Sequence, residues 1–376
     1  MTKIIKCPAA PVKQGSLKLY TTSLKVRDLL TNNFYDIERL DPENLNDKGY
    51  QRLLNKARAK KLADYLLDGQ ENKDAFLPTS VFLATDKDVL FDDETNTISF
   101  DVDKICPFSV VDGQHRLEGL KLAADKNSDI LDFEVAVNIA VNLSKIAQMC
   151  HFLIVNTTQK SVDVSVAQRI SARLTDALTF EDVPSLPKWI RRMVESEDDK
   201  KALQIADFLN EAGDSPWFGK IEMANQESKT ATTNQRTFVN ALKKYVFTAN
   251  NPLLHRPSDQ QKKIMFNYWK ALANLLDIEK PTVLYKYNGI ELFSRFSTPL
   301  FNKLQNMNDF KIATIEIILQ ETFDNLEGEY VGVGLPDWWL SGTGMAGGLN
   351  SKTINMIQHE LTKALHKVGA TSDIEL

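Results

Sequence analysis

Residues 108–120 have the sequence FSVVDGQHRLEGL. The apolar beginning of this segment belongs to a strand predicted over residues 105–111, and a helix is predicted over residues 114–126. Gly113 lies between them, where glycine permits a tight turn that would strain other residues. The sequence therefore predicts that a buried strand turns sharply here and continues as a helix.

This arrangement favours the binding of an anion. The beginning of a helix presents unpaired backbone N–H groups and the positive end of the helix dipole. Arg116 lies one turn into the helix and could add a bidentate, charge-assisted contact to a phosphate. His115 could donate to a phosphate oxygen or relay a proton near neutral pH. Asp112 would repel a phosphate, so it is better suited to orient Arg116, hold a metal-bound water or act as a base.

A structural interpretation explains the same residue types equally well. In this interpretation Asp112 caps the helix and pairs with Arg116 four residues later, while His115 is exposed to solvent. The residue types alone do not decide between this interpretation and phosphate binding.

The segment Val111–Gly119, VDGQHRLEG, resembles the defining box of DGQHR-domain proteins. These are relatives of the ParB and sulfiredoxin fold that include the DndB and DpdB components of bacterial DNA-modification systems. In ParB-like proteins the matching box binds nucleotide phosphates. Tyr50-Gln-Arg52 resembles the entry motif of such domains and adds Arg52 to the same pocket. The residues of the box to which the resemblance assigns phosphate contacts are Gly113, Gln114, His115 and Arg116.

A second motif, NTTQK at residues 156–160, resembles a ParB box in which an Asn follows a Glu and precedes a Gln-Arg pair. In that family the Glu and the Asn hold magnesium. The resemblance implies nucleotide contacts from Asn156, Gln159 and Lys160, and a metal contact from Asn156. Val155 stands where the family has Glu, so one carboxylate ligand is missing. We therefore expect nucleotide hydrolysis to be slow or to need a partner protein.

The pattern of predicted elements changes along the chain. Up to about residue 180, strands predicted at 79–85, 105–111 and 133–143 alternate with helices predicted at 50–67 (ended by Gly69), 114–126 and 144–155 (capped by Ser144). After a predicted turn at 184–187, the predicted elements are helices at 188–210, 235–247, 259–276, 285–303 and 351–367. We predict an α+β fold, with a ParB/sulfiredoxin-like domain over residues 1–180 and a mainly helical domain over residues 181–376.

The charge of the chain limits how it could contact DNA. The formal net charge is −5 and the isoelectric point is about 5.7, whereas proteins that coat nucleic acid usually carry a positive surplus. Direct DNA binding would need a local basic strip, which Arg52, Lys56 and Lys60 could form on one helix face. A solvated helix face is the commoner explanation for Lys56 and Lys60.

The same composition predicts a cytoplasmic protein. No apolar run approaches the roughly 20 residues that a membrane span needs, and the N-terminal residues lack the apolar segment of a secretory signal. Three cysteines without CxxC spacing argue against a disulfide framework and a structural zinc site.

The resemblance leads to two hypotheses for the function. The first is a nucleotide-binding component of a DNA-modification or defence system, of the phosphorothioation or deazaguanine type. Its cofactor would be a nucleoside triphosphate, with ATP as the first candidate and Mg²⁺ as a further one. The second is a DNA-binding transcriptional regulator of such an operon, without nucleotide turnover. Because the net charge is negative, the DNA-binding regulator is the second of the two hypotheses. DNA would be reached directly or through a DNA-modification protein, and self-association into a homo-oligomer fits either hypothesis.

Overall fold

The structure is a computed structural model that describes residues 3–15, 17–43, 49–159, 163–177, 188–277 and 280–369. The chain divides into two units, Met1–Arg191 and Arg192–Leu376. The first unit contains a mixed sheet with helices, and the second is mainly helical. The predicted α+β fold is confirmed.

The first unit is built on one eight-stranded sheet in the order β3-β7-β4-β8-β2-β1-β6-β5. Its strands are β1 (Ile4–Gln14), β2 (Leu17–Lys25), β3 (Tyr35–Asp36), β4 (Val81–Ala84), β5 (Leu90–Asp92), β6 (Thr97–Asp101), β7 (Phe108–Asp112) and β8 (Glu134–Val141). The pairs β3–β7 and β4–β8 are parallel, and the other neighbouring pairs are antiparallel.

Burial along the strands explains where the site can form. In β2 buried and exposed side chains alternate, which is typical of a strand with one face in the core. In β7, by contrast, residues 108–111 are all buried, and Asp112 is the first partly exposed residue. The Phe108 ring packs 5.3 Å from Phe100 and 5.5 Å from Phe34 between centroids. This packing fixes the strand up to the residue at which the loop begins.

The helices of the first unit cover or flank this sheet. They are α1 (Val26–Leu29), α2 (Lys56–Asn72), α3 (Val102–Ile105), α4 (Gln114–Ala124), α5 (Lys145–Gln159) and α6 (Val164–Ala177). Helix α4 packs closely on α2 at Gly119. A Cβ atom there would lie 2.9 Å from Leu62 Cδ2 and 3.1 Å from the carbonyl oxygen of Ala59. The second glycine of the VDGQHRLEG segment therefore permits the contact between the two helices.

The second unit has an aromatic core. Its helices are α7 (Lys188–Glu195), which spans the division between the units, α8 (Asp198–Glu211), α9 (Gln235–Ala241), α10 (Ser258–Leu276), α11 (Tyr287–Met307), α12 (Ile312–Asp324) and α13 (Ser351–Lys367). Its short strands are β9 (Ile221–Glu222) and β10 (Thr233–Asn234). The Trp217 ring meets Phe238, Trp269 and Tyr285 at centroid distances of 4.7 to 4.9 Å. None of the helices within the described ranges is long and apolar enough to cross a membrane.

Two boundaries of the predicted helix at 50–67 are wrong. The helix begins at Lys56 because Asn55 is its N-cap, whose side-chain oxygen accepts from the Arg58 N–H at 2.9 Å. Gly69 does not end the helix, which continues to Asn72 and ends before Lys73 in the left-handed conformation, φ 56°. Gly69 instead makes room for the returning chain, since a Cβ atom there would lie 2.7 Å from Ala75 Cα.

Other predicted elements need smaller corrections. The helix predicted at 188–210 is two helices, α7 and α8, because Glu197 has φ 55° and interrupts it. The helix predicted at 235–247 becomes a π-helical turn at Leu242–Val246. Ser144 caps α5 as predicted, accepting from the Ala147 N–H at 3.3 Å. The turn predicted at 184–187 lies outside the described residues.

Candidate phosphate-binding site

The DGQHR loop, residues Asp112–Arg116, joins β7 to α4. Gly113 has φ 110°, a conformation that residues with a Cβ atom rarely adopt. Its carbonyl oxygen accepts from the N–H groups of Arg116 and Leu117, at 2.9 and 3.0 Å, and so begins the helix. The N–H groups of Gln114 and His115 have no acceptor among the described residues. They are therefore available to donate to an anion.

Asp112 and Arg116 form an ion pair across the loop. Arg116 Nη2 lies 2.9 Å from Asp112 Oδ2, and the two side chains are 20% and 38% exposed. Asp112 does not cap α4, because Gly113 occupies the cap position and no side chain accepts there. The Nε of Arg116 is buried and has no hydrogen-bond partner in the described part of the chain. Asp112 thus orients Arg116 and leaves part of its hydrogen-bonding capacity unused.

His115 is held as a neutral imidazole. Its Nε2 accepts from the backbone N–H of Asn55 at 3.1 Å. Burial, together with the positive charges of Arg52 and Arg58, lowers the pKa of His115 to about 4. Since Nε2 is an acceptor, the proton of the neutral ring lies on Nδ1. At neutral pH the side chain can donate one hydrogen bond, but a pKa of about 4 makes it too weak a base for a proton relay near pH 7.

The surroundings of His115 are strongly positive. The guanidinium groups of Arg52, Arg58 and Arg116 all lower its pKa, while Asp112 alone opposes them. Arg52 is half-buried and Arg58 exposed, and neither forms an ion pair within the ranges that the structure describes. An anion here would gain favourable electrostatic energy with little competition from carboxylates.

Sequence reasoning missed Asn55 and Arg58 as site residues. Both belong to the turn that begins α2, and their importance follows from its packing against α4. Asparagine is a preferred N-cap residue, so Asn55 indicates the start of a helix. Its contact with His115, however, spans 60 positions of the sequence. No local pattern predicts such a contact.

Polar side chains beneath the loop hold its backbone in place. The Gln51 amide donates to the carbonyl oxygens of Val110 and Val111 at 2.6 and 3.0 Å. The side chain of Gln114 is also buried, only 4% exposed. Its Oε1 has no hydrogen-bond partner among the described residues. Gln114 can therefore reach a phosphate through its backbone N–H, whereas its side chain points into the protein.

Lys56 and Lys60 lie beside the loop on α2. Both are exposed and line a slot of about 360 Å³ between α2 and α4. Its apolar lining comes from Leu54, Ala59, Ala63 and Leu122. The structure thus places the two lysines next to the loop's helix, in a slot that is also lined by the charged residues Glu118 and Lys126.

The second predicted motif is described only in part. Asn156 lies in α5, and its Nδ2 donates to the carbonyl oxygen of Phe152 at 2.8 Å. The side chain of Gln159 and all of Lys160 lie outside what the structure describes. Across the described residues, no group of three or more His, Cys, Asp or Glu side chains is placed to hold a metal ion. With Val155 offering no ligand, the described residues do not fit a ParB-type magnesium site.

Comparison with known proteins adds one finding. A family model, DndB, described as DNA-sulfur modification-associated, matches residues 7–286. The match therefore includes the whole DGQHR loop and helix α2, and continues through α10 to the residue before α11. Neither the curated proteins nor the solved structures gave a significant match.

Proposed function

The chain belongs to the DndB family of DNA-sulfur modification-associated proteins, and from this premise we propose that its DGQHR loop binds the phosphates of a nucleoside triphosphate. Family membership supports a role in a DNA phosphorothioation system. ATP is the first candidate for the nucleotide. In this proposal the backbone N–H groups of Gln114 and His115 and the guanidinium groups of Arg52, Arg58 and Arg116 contact the phosphates.

One observation carries the proposal, namely the concentration of positive charge around a neutral imidazole at the beginning of a helix. Arg52 and Arg58 have no ion-pair partner in the described ranges, and their charges lower the pKa of His115. Such a cluster destabilises the unliganded protein through mutual repulsion. A triphosphate would relieve this repulsion and satisfy the unpaired N–H groups together.

The contacts favour binding over rapid turnover. The carboxylate of Asp112 is already engaged in the ion pair with Arg116. The Nε2 of His115 is occupied by the Asn55 N–H. We therefore propose that hydrolysis, where it occurs, is slow or stimulated by a partner protein.

Calorimetric titration of the full chain with ATP, GTP and CTP, with and without Mg²⁺, tests this proposal. Replacing Arg52 or Arg58 by alanine should weaken triphosphate binding, each by about 1.5–3 kcal/mol if it contacts a phosphate directly. The matched control is Lys13→Ala, which removes an exposed charge from β1, and it should bind as the parent does. Absence of binding for all three nucleotides, or equal losses in the control, would rule out a triphosphate site at the loop.

A specific observation also favours the second candidate, a DNA-binding regulator. Lys56, Lys60 and Lys61 on α2 are exposed and form no ion pairs within the described residues. With Arg58 they extend the positive surface of the loop along the helix. An extended basic strip suits the regular phosphates of a DNA strand. Gel-shift titration with the DNA upstream of its own operon tests this candidate.

A further inference from the structure

We propose that the second unit contains a separate binding site for a nucleobase and its attached phosphate. The site is a pocket of about 310 Å³ where α9, the π-helical turn after it and α11 meet. The lining residues that carry the argument are Arg236, Lys244, Tyr245, Tyr287, Ile290 and Glu291. All of them belong to the second unit, so this site is distinct from the DGQHR loop.

A buried carboxylate with an unused oxygen lines this pocket. Glu291 is only 3% exposed. Its Oε1 accepts from the Tyr245 hydroxyl at 2.8 Å and from Arg295 Nη2, whereas its Oε2 is buried and has no hydrogen-bond partner among the described residues. Burial raises the pKa of Glu291, but the hydroxyl groups of Tyr287 and Tyr245 and the guanidinium of Arg295 hold it below its ordinary value. The free oxygen is therefore an acceptor that requires an N–H or O–H donor.

The wall around this carboxylate is rigid. The Arg295 guanidinium lies 4.5 Å from the centroid of the Tyr245 ring, and its Nη1 donates to Asn355 Oδ1 at 3.0 Å. Tyr245 belongs to the π-helical turn Leu242–Val246. Such turns interrupt an α-helix at an energetic cost and occur frequently at functional sites. Here the turn places Tyr245 against Glu291, which fixes the acceptor before a ligand arrives.

The mouth of the pocket supplies the other two contacts that a nucleotide needs. Arg236 and Lys244 are both exposed and form no ion pair within the described part of the chain. Either can contact a phosphate. Tyr287 is 55% exposed, so its ring is accessible at the mouth of the pocket. A planar base could stack on this ring while its polar edge reaches Glu291.

The chemistry of the acceptor selects among the bases. Guanine presents N1–H and the N2 amino group side by side, so it offers donors to a carboxylate. Adenine presents its N1 lone pair beside the amino group, and that lone pair would face the carboxylate repulsively. The carboxylate therefore favours guanine, which presents two adjacent donors, over adenine, whose single amino donor lies beside a lone pair. We therefore expect a guanine nucleotide, whether free or exposed as one residue of single-stranded DNA.

Titration of the full chain with GMP, IMP and AMP tests the inference. GMP should bind at least about tenfold more tightly than AMP, and IMP, which keeps N1–H but lacks the amino group, should lie between them. A second arm compares single-stranded oligonucleotides that carry one guanine or one adenine in a thymine context. Preference for the guanine oligonucleotide over GMP would identify DNA as the source, and the reverse would identify a free nucleotide. Equal binding of GMP and AMP, or no binding of any probe, would overturn the proposal.

Variants locate the binding without relying on Glu291, whose replacement also breaks its contact with Arg295. Tyr287→Ala and Arg236→Ala alter exposed side chains and should each weaken GMP binding by about tenfold. Lys352→Ala removes an exposed charge outside the pocket and should leave binding unchanged. Arg52→Ala, at the DGQHR loop, serves as the comparison for nucleotide that is held there. Loss of GMP binding in Arg52→Ala but not in Tyr287→Ala would assign the nucleotide to the loop and overturn a second site.

Discussion

The backbone N–H of Asn55 donates to Nε2 of His115 across 3.1 Å. Asn55 is at the same time the N-cap of α2, so one residue fixes both the beginning of that helix and the orientation of the imidazole. The consequence is chemical as well as structural. A histidine whose Nε2 is already an acceptor, and which lies among three guanidinium groups, stays neutral and offers only its Nδ1–H.

The first prediction concerns the titration of His115. Its pKa is lowered to about 4 from an ordinary value of 6.5. The neutral ring therefore contributes to folding stability above about pH 6.5. This contribution decreases as the pH falls toward 4, because the unfolded chain binds the proton of this histidine more readily than the folded protein does. Histidine NMR titration, with the resonance assigned from His115→Gln, should show this low pKa. A bound triphosphate should raise it. Titration of His115 near pH 6.5 without ligand would contradict the positive surroundings inferred here.

The second prediction separates the two members of the ion pair. Arg116→Ala should weaken triphosphate binding by about 1.5–3 kcal/mol, since it removes a charge-assisted contact. Asp112→Asn should leave binding intact or strengthen it, because a negative charge near the phosphates disappears, while any hydrolysis should slow. Calorimetry and a phosphate-release assay measure the two effects. If the asparagine variant hydrolyses at the parental rate, Asp112 only orients Arg116.

The third prediction concerns the glycine at the turn. Gly113→Ala should lower the free energy of unfolding by about 1–3 kcal/mol. The reason is twofold, since φ is 110° and the new Cβ would lie 3.2 Å from Val81 Cγ1. Gly15→Ala is the matched control, because Gly15 also has positive φ, 62°, but nothing lies within 4 Å of its Cβ position. Denaturant unfolding should show a larger loss of unfolding free energy for Gly113→Ala than for Gly15→Ala. Equal losses would mean that the protein accommodates the contact with Val81 at no cost.

The loop itself could be predicted from the sequence because its signals are local. A run of buried residues, a glycine and a helix-forming segment follow one another, and the structure has β7, Gly113 and α4 in that order. The ion pair between Asp112 and Arg116 was likewise predicted from their four-residue spacing, although Asp112 lies at the end of β7 and not on the helix. By contrast, the Asn55–His115 contact joins elements far apart in the chain, and only tertiary packing determines it.

Several elements were missed because their residues contradict local propensity. Strand β1 contains Pro8 and Pro11, residues that normally argue against a strand. Helix α12 is rich in β-branched residues, which favour strands when considered alone. Tyr245, in the π-helical turn at Leu242–Val246, donates to Glu291 across 46 positions, and no sequence pattern predicts this contact. The pocket in the second unit could therefore be recognised only in the structure.

The last prediction decides between a nucleotide and DNA as the ligand of the loop. If the basic surface of α2 binds DNA, affinity should fall steeply with salt, with a log–log slope near −0.9 for each phosphate contact. Lys56→Ala combined with Lys60→Ala should then flatten that slope by about two units, and ATP should compete with DNA. The proposal of a nucleotide site expects weak DNA binding without partners, because the chain carries a net charge of −5. Gel-shift titrations with the upstream region of its own operon and an unrelated duplex, at low and moderate salt, distinguish the two. Tight binding that prefers the operon fragment would make the regulator the better description.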